Sequence, residues 1–382
     1  MCIRDRRNPR LITSYALPPQ ARALCAPCSV HYKPSGQKAQ RVTYVVVRND
    51  STRKTELVSF VDDAPSDSSD VSTETQTKST HALERADVFA VYTLASHSDN
   101  PDLASALDVC LVYEDGSVES ISGDAGSKLW HADAAQAVAL DQGPESTPFG
   151  RLEYTTITDV EKARKGLLKS REDVLAVIVG PHLSPDSAPL NVPLLVITTV
   201  SDSSRCLRVF SLPSRSRDSI SSTGPALRHL LTHQLPQTAH SSKSSALDRA
   251  TFSLHPSSGR LHQLLDGHID TFDFSTTVPR LLSTLPSHAQ PYTSFVRVSP
   301  ALLMASNSSI CGVYDTKYSS LQGQLPLATD FAAETSPGKR KRAQAQPPAT
   351  LDFVAFYSDL GLAVAIANSS LVAVQLELRS RI

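Results

Sequence analysis

The most restrictive feature of this sequence is a hairpin pattern that recurs along the whole chain. In each copy an apolar run, a polar turn and a second apolar run follow one another, as in two antiparallel strands joined by a tight turn. The six copies lie at 44–61, 109–121, 194–212, 263–274, 302–314 and 362–376. The pattern predicts an all-β protein built from repeated hairpins.

Further apolar segments precede several of these hairpins. They lie at 88–92, 174–179, 295–298 and 353–356 and read as additional strands. Repeats of three or four short strands are typical of the blades of a β-propeller. We therefore predict six blades, with a seventh incomplete.

One tripeptide resembles a blade signature. Val313, Tyr314 and Asp315 end an apolar run at the place that a Trp-Asp pair holds in a propeller blade. We expect these residues in a blade core, with Tyr314 packed toward a neighbouring blade. In another hairpin, Asp115 and Gly116 predict a type I′ turn.

The domain organisation follows from composition. The chain has 382 residues, of which 40% are hydrophobic, so one large propeller domain over 9–378 is expected after a disordered leader at 1–8. Four spacers rich in Ser, Thr, Asp, Pro and Lys are predicted to be flexible insertions. They lie at 62–80, 213–223, 237–245 and 332–350.

Charge and hydropathy exclude some classes of partner. The formal net charge is −1, so no bulk attraction to nucleic acid or to an anionic membrane is expected. No apolar run has the length of a membrane-spanning helix, and the basic start lacks the apolar stretch of a secretory leader. We therefore expect no membrane partner.

The cysteines are expected to be structural residues rather than metal ligands or redox-active thiols. Cys110, Cys206 and Cys311 lie in apolar runs and are expected to be small buried side chains in a reducing compartment. Cys25 and Cys28 form a CxxC pair without the second ligand pair that zinc requires. A strand, rather than the helix of a redox motif, is predicted to follow them.

No motif has the residue types and order of an enzyme or cofactor site. The nearest matches are the pair His229 and His233, the segment 123–128 and the acidic pairs Asp62–Asp63 and Glu172–Asp173. The histidine pair lacks the glutamate of a zinc protease, and the segment lacks the order of a phosphate-binding loop. The acidic pairs lack an apolar setting. We expect no catalytic residue, cofactor, metal or small-molecule substrate.

One helix is predicted within the β pattern. A capping box from Thr158 to Glu161 begins it, and Leu167 and Leu168 are expected to anchor it. Its five cations are Lys162, Arg164, Lys165, Lys169 and Arg171. They form either a solvated face or a contact to phosphate or to an acidic partner.

A second basic cluster lies near the end of the chain. It consists of four consecutive cations, Lys339, Arg340, Lys341 and Arg342. Segments that contain proline or glycine, which interrupt helices and strands, flank it at 336–338 and 344–348. Four cations in an accessible Pro-rich segment are a candidate nuclear-localisation signal. The alternative is a solubilising loop.

Three stretches carry a family resemblance, at 11–30, 158–175 and 306–325. Together they resemble the propeller domain of the fungal U-three-associated protein eight family, similar in plan to animal nucleolar protein eleven. The resemblance covers roughly residues 9–378. The family has about seven blades followed by a helical domain. Relative to the family, this chain is expected to lack the first strands and that helical domain.

The resemblance implies a function. The family belongs to the t-UTP subcomplex of the small-subunit processome, a nucleolar scaffold without catalysis. Its implied partners are other processome proteins and the 5′ leader of pre-ribosomal RNA, and it supports ribosomal RNA transcription and early 18S precursor processing.

Two alternatives remain open beside the ribosomal one. The first is a nuclear or cytoplasmic interaction propeller that acts as an adaptor elsewhere. The second is a hydrolytic propeller enzyme, which should show carboxylates or histidines repeated at strand starts, and no such set is found. The cluster Lys339–Arg342 distinguishes a nuclear scaffold from a cytoplasmic adaptor.

Overall fold

The polypeptide is an all-β chain with three short helices in the part that the structure describes. The computed structural model describes residues 17, 20–32, 40–63, 77–95, 107–123, 125–142, 148–179, 192–201, 204–213, 227–238, 248–285, 290–327, 350–358, 361–367 and 370–376. Its strands form six antiparallel sheets, of which five are meanders of consecutive strands, and the first has two strands that pair with the same neighbour. These sheets are β-propeller blades, so the predicted fold class is confirmed.

The first three sheets contain thirteen strands. The first comprises β1 (Ala21–Ala23), β2 (Cys28–Tyr32), β3 (Gln40–Asn49), β4 (Thr55–Asp63) and β5 (Thr77–Leu83). The second comprises β6 (Val88–Ala95), β7 (Leu107–Tyr113), β8 (Ser117–Ser122) and β9 (Lys128–Asp133). The third comprises β10 (Arg151–Asp159), β11 (Pro193–Ser201), β12 (Ser204–Ser211) and β13 (Arg228–Gln234).

The last three sheets contain eleven strands. The fourth comprises β14 (Thr251–His255), β15 (Arg260–Leu265), β16 (His268–Asp273) and β17 (Arg280–Leu285). The fifth comprises β18 (Ser294–Arg297), β19 (Leu302–Ser306), β20 (Ile310–Asp315) and β21 (Ser320–Pro326). The sixth comprises β22 (Asp352–Tyr357), β23 (Leu362–Ala367) and β24 (Ser370–Gln375).

All six predicted hairpins are present. They are β3–β4, β7–β8, β11–β12, β15–β16, β19–β20 and β23–β24, one in each sheet. Three of the four upstream segments are also strands, namely β6, β18 and β22. The apolar runs on either side of a polar turn were a reliable signal here, because most of their residues are buried in the sheets.

The chain divides into two compact units. The first contains residues 1–160, 186–199 and 208–231, and the second contains 161–185, 200–207 and 232–382. Within the first unit, Val46 and Leu57 of the first sheet pack with Val109 and Leu111 of the second. Burial of apolar faces between successive sheets stabilises each unit.

The second unit repeats the same packing. Leu264 and Ile269 of the fourth sheet pack with Leu303 and Tyr314 of the fifth. A further cluster joins the fifth sheet to the sixth. These neighbouring sheets therefore share apolar cores, as the blades of a propeller do.

The turn at Asp115 and Gly116 differs from its prediction. Only Gly116 has a positive φ, of 85°, and its N–H donates to the carbonyl oxygen of Tyr113 at 2.9 Å. This is a type I turn followed by a glycine, so the type I′ prediction is wrong. Asp115 instead accepts the backbone N–H of Ser117 at 2.9 Å, a bond that type I geometry allows.

Three outer strands carry a β-bulge at the same place. In β9, β17 and β21 one extra residue lies opposite the third strand of the sheet. On the third strand of each sheet, the two residues opposite the bulge are Ser120 and Ile121, Thr271 and Phe272, or Val313 and Tyr314. Because the bulge occurs at the same position in three sheets, it is a feature of the repeated unit.

The single predicted helix is shorter than expected. Helix α2 (Val160–Lys165) ends before Gly166, and Thr158 belongs to β10 rather than to a helix cap. A Cβ at Gly166 would lie 2.3 Å from the backbone nitrogen of Gly259, so the chain turns here to allow a close backbone approach. The prediction of one helix through Arg171 is therefore wrong.

Two further helices were not predicted. Helix α3 (Glu172–Val179) replaces the strand expected at 174–179 and begins with two acidic residues that suit a helix N-terminus. Helix α1 (Ala134–Gln142) follows Asp133, whose Oδ1 accepts the N–H groups of Ala135 at 2.7 Å and Gln136 at 3.2 Å. Among the described residues, no helix is long and apolar enough to cross a membrane.

The predicted insertions are only partly described. The spacer at 62–80 is shorter than expected, because Asp63 ends β4 and Thr77 begins β5. The leader at 1–8 and most of the other three spacers lie outside the described residues.

Candidate interaction surfaces

A basic segment connects β10 to β11 and presents cations to solvent. We name residues 162–171 the basic segment. Lys162, Arg164, Lys165 and Lys169 are exposed, while the Arg171 side chain is 20% exposed. The structure therefore brings four of the five predicted cations to the surface.

Buried leucines hold the basic segment in place. Leu167 and Leu168 are fully buried, as predicted, and the N–H of Leu167 donates to the carbonyl oxygen of Pro256 at 2.9 Å. Gly166 packs against Gly259 in the turn between β14 and β15. The segment is fixed to the fourth sheet, so its cations are displayed on a rigid support.

Lys165 and Arg171 each have an acidic partner among the described residues. Lys165 Nζ lies 3.2 Å from Glu161 Oε1, in an i, i+4 pair. Arg171 donates from Nε and Nη2 to Asp173, at 2.9 and 2.7 Å. The Asp173 carboxylate raises the pKa of Arg171, and the guanidinium lowers the pKa of Asp173 to about 2. Exposed pairs of this kind are weak, so they position side chains more than they stabilise the fold.

Further cations lie beside the turn that supports the segment. Arg260 Nη1 donates to the carbonyl oxygen of Pro300 at 2.7 Å, and Arg297 Nη1 donates to that of Leu254 at 2.5 Å. Burial, with smaller contributions from Arg297 and Arg260, lowers the pKa of His262 to about 3. His262 is therefore neutral near pH 7, and the two arginines supply the positive charge.

Of the tripeptide Val313–Asp315, only Tyr314 is a core residue of the fifth sheet, and Asp315 is partly exposed. Tyr314 is fully buried, and its ring meets that of Tyr292 edge to face at 5.7 Å between centres. It packs with Leu264 of the fourth sheet, which confirms that Tyr314 faces a neighbouring blade. Val313 is half-buried.

Asp315 closes the turn after β20. Its Oδ1 accepts the N–H groups of Lys317 at 2.8 Å and Tyr318 at 3.2 Å. A carboxylate that accepts two N–H groups holds a tight turn in one conformation.

The fourth sheet contains an equivalent pair that sequence reasoning missed. Phe272 is buried, and Asp273 accepts the N–H of Ser275 at 2.9 Å. Asp273 Oδ2 also accepts from Arg280 Nη2 at 3.0 Å. The sequence signal that could have identified this pair is an aromatic residue followed by Asp at the end of the third strand of a sheet.

The motifs set aside in the sequence have structural roles. Cys25 and Cys28 are free thiols, and burial raises the pKa of Cys25 to about 11. His229 lies on β13, with Nδ1 at 2.7 Å from Asp141, and the His233 ring packs on Phe274. Within the described ranges, no group of three or more His, Cys, Asp or Glu could hold a metal ion.

A groove on the first sheet was not anticipated. It has a volume of about 400 Å³ and is lined by residues of β1 to β4, including Ala23, Ser29 and Val45. Arg41 and Phe60 are among its lining residues, and Arg41 Nη2 donates to Asp62 at 2.7 Å. The cluster Lys339, Arg340, Lys341 and Arg342 lies outside the described residues.

Comparison with known proteins leaves the biological role open. No protein-family model matches the chain. The chain is 23% identical over 390 residues to an uncharacterized protein of Chaetomium thermophilum, with 98% of this chain and 38% of that relative aligned. The chain thus spans less than two fifths of the relative's length, and the relative's description names no activity. The processome resemblance remains a prediction.

Proposed function

We propose that this protein is a non-catalytic scaffold of the nucleolar small-subunit processome, in the t-UTP subcomplex. It supports ribosomal RNA transcription and early processing of the 18S precursor. The resemblance at 11–30, 158–175 and 306–325 supports this role, and propeller blades suit a protein that binds several partners on separate surfaces.

The basic segment is the observation that carries the proposal. Its exposed cations stand on two fully buried leucines, so binding costs little ordering of the backbone. Arg164 and Lys169 are exposed and have no ion pair among the described residues. They are suited to bind the acidic surface of a processome protein or the phosphates of the 5′ leader RNA.

Charge reversal of two cations tests this contact. The variant Arg164→Glu with Lys169→Glu should keep the fold and reduce recovery of processome proteins and pre-ribosomal RNA severalfold when the tagged chain is purified from cells. We choose these two because reversal of Lys165 or Arg171 would also break an ion pair. The matched control is Lys54→Glu with Arg249→Glu, two exposed cations elsewhere. Equal recovery from both variants would remove the basic segment from the proposal.

The cluster Lys339–Arg342 tests the nuclear location. Replacing all four cations with glutamine should shift a fluorescent fusion from the nucleus to the cytoplasm, because the import receptor reads consecutive positive charge. A fusion that stays nuclear after the change would assign the cluster to a solubilising loop.

The same purification distinguishes the alternative role. If the chain is an adaptor unrelated to ribosome assembly, processome proteins will be missing from the purified material, and another complex will be enriched in their place. Recovery of both precursor RNA and t-UTP proteins would instead support the processome assignment.

A further inference from the structure

The turn after β20 displays an exposed tyrosine on a fixed backbone. Tyr318 is 68% exposed, and Lys317 Nζ lies 5.1 Å from the centre of its ring. Asp315 holds this turn from within by accepting both backbone N–H groups. An exposed aromatic residue on an ordered turn loses little freedom on binding, and tyrosines are enriched at the energetic centres of interfaces.

Leucines lie beside this turn on the outer strand of the fourth sheet. Ser283 Oγ donates to the carbonyl oxygen of Thr316 at 2.6 Å, which ties β17 to the turn. Leu281 and Leu282 directly precede Ser283 and are 39% and 37% exposed. The bulge in β17 falls at Leu282 and prevents both leucines from following a regular buried alternation.

Cations border the other side of the turn. Thr316 donates from its N–H and its Oγ1 to the carbonyl oxygen of Ala301, at 2.8 and 3.1 Å. The neighbouring Pro300 accepts from Arg260, so Arg260 and Lys317 approach the same short loop. Arg260 also follows directly the turn on which the basic segment packs. Arg260 and Lys317 therefore supply cations at this loop, and Arg260 lies next to the turn that the basic segment contacts.

We name these five residues the Tyr318 surface: Arg260, Leu281, Leu282, Lys317 and Tyr318. We propose that it docks a short acidic segment of a partner protein that also carries an apolar residue. The apolar residue packs on Tyr318 and Leu282, and the carboxylates pair with Lys317 and Arg260. This inference is independent of any role in ribosome assembly.

The composition of the surface favours a peptide over RNA. Single-stranded RNA is bound by several aromatic rings along a basic groove, because each base needs a flat face to stack on. Here one exposed ring and two partly exposed leucines lie on segments joined by the Ser283–Thr316 hydrogen bond, and such side chains suit an apolar amino acid. Mixed apolar and cationic surroundings are typical of protein interfaces with acidic partners.

A library of random peptides displayed on phage tests the proposal. Selection on the folded full chain should enrich peptides that combine Asp or Glu with Leu, Ile, Phe or Trp. For a fluorescent copy of an enriched peptide, Tyr318→Ala should weaken binding by at least about tenfold, or about 1.4 kcal/mol, in anisotropy titrations. Lys317→Glu should weaken it similarly, and Tyr318→Phe should retain it.

A second exposed tyrosine provides the matched control. Tyr357 is 53% exposed on β22, and Tyr357→Ala should leave the peptide affinity unchanged. Circular dichroism of every variant establishes that the fold is retained. The proposal is overturned if no peptide is enriched, if the enriched peptides lack acidic residues, or if Tyr318→Ala binds them as well as the unchanged protein.

An oligouridine titration separates the nucleic-acid alternative. The RNA should bind weakly, and its affinity should not depend on Tyr318. If the RNA binds tightly, loses affinity in Tyr318→Ala and is not displaced by the enriched peptide, the surface is a nucleic-acid site and the proposal fails.

Discussion

Replacing Tyr314 with alanine removes one of the two tyrosine side chains from the core between the fourth and fifth sheets. The ring is fully buried and packs with Leu264, Leu285 and Leu303, as well as on the edge of Tyr292. A buried aromatic ring removes about 150–250 Å² from water, worth about 4–6 kcal/mol at about 25 cal/mol per Å². Alanine retains part of this burial, so we expect a loss of about 3–5 kcal/mol in the free energy of unfolding.

The loss of stability should be confined to the second compact unit. Hydrogen exchange followed by mass spectrometry reports the opening free energy of β19 and β20 directly, and urea unfolding followed by circular dichroism gives the global value. Tyr318→Ala is the matched control, because this tyrosine is exposed four residues away and should change stability by less than about 0.5 kcal/mol. Equal protection of β20 in Tyr314→Ala and in the control would refute the assigned burial.

Three further changes test other parts of the fold. Gly166→Ala places a Cβ against the backbone of Gly259 and should cost about 1–3 kcal/mol in a thermal melt, whereas Gly323→Ala, with open space around it, should be neutral. Burial lowers the pKa of His262 from 6.5 to about 3, so the unfolded chain binds a proton first as pH falls. The unfolding free energy should therefore drop between pH 6.5 and about 3, by up to about 1.4 kcal/mol per pH unit from this group, and His262→Asn should reduce that slope. Asp133→Ala removes the cap of α1 and should destabilise the protein by about 1 kcal/mol, measured by urea unfolding.

The blades were predictable because their signal is local. Each hairpin combines apolar runs with a polar turn, and both features are visible within about twenty residues of sequence. Burial of Leu167 and Leu168 was predictable for a similar reason, since they are the apolar residues of an otherwise charged segment. The exposed cations beside them fit either a face that only contacts solvent or a face that binds a partner. The sequence pattern is the same in both cases.

The parts that sequence reasoning missed depend on contacts between distant residues. The end of α2 is set by the approach of Gly166 to Gly259, which no local pattern contains. The run at 174–179 lacks periodicity, so strand and helix were equally compatible with it. Exposure of Leu281 and Leu282 follows from a bulge and from the neighbouring turn, and a sequence window would place two leucines in a core.

The repeated bulges have a consequence for a protein kept at high local concentration. A flat, uncharged outer strand acts as a template on which another chain can extend the sheet, and this leads to aggregation. In β9, β17 and β21 the extra residue twists the outer edge and interrupts the row of hydrogen-bonding groups that such growth needs. The strand β24 contains no charged residue and pairs with β23 without a bulge. Colloidal stability in concentrated solution should therefore depend on how well β24 is shielded, and a lysine introduced there should delay precipitation more than the same change in β21.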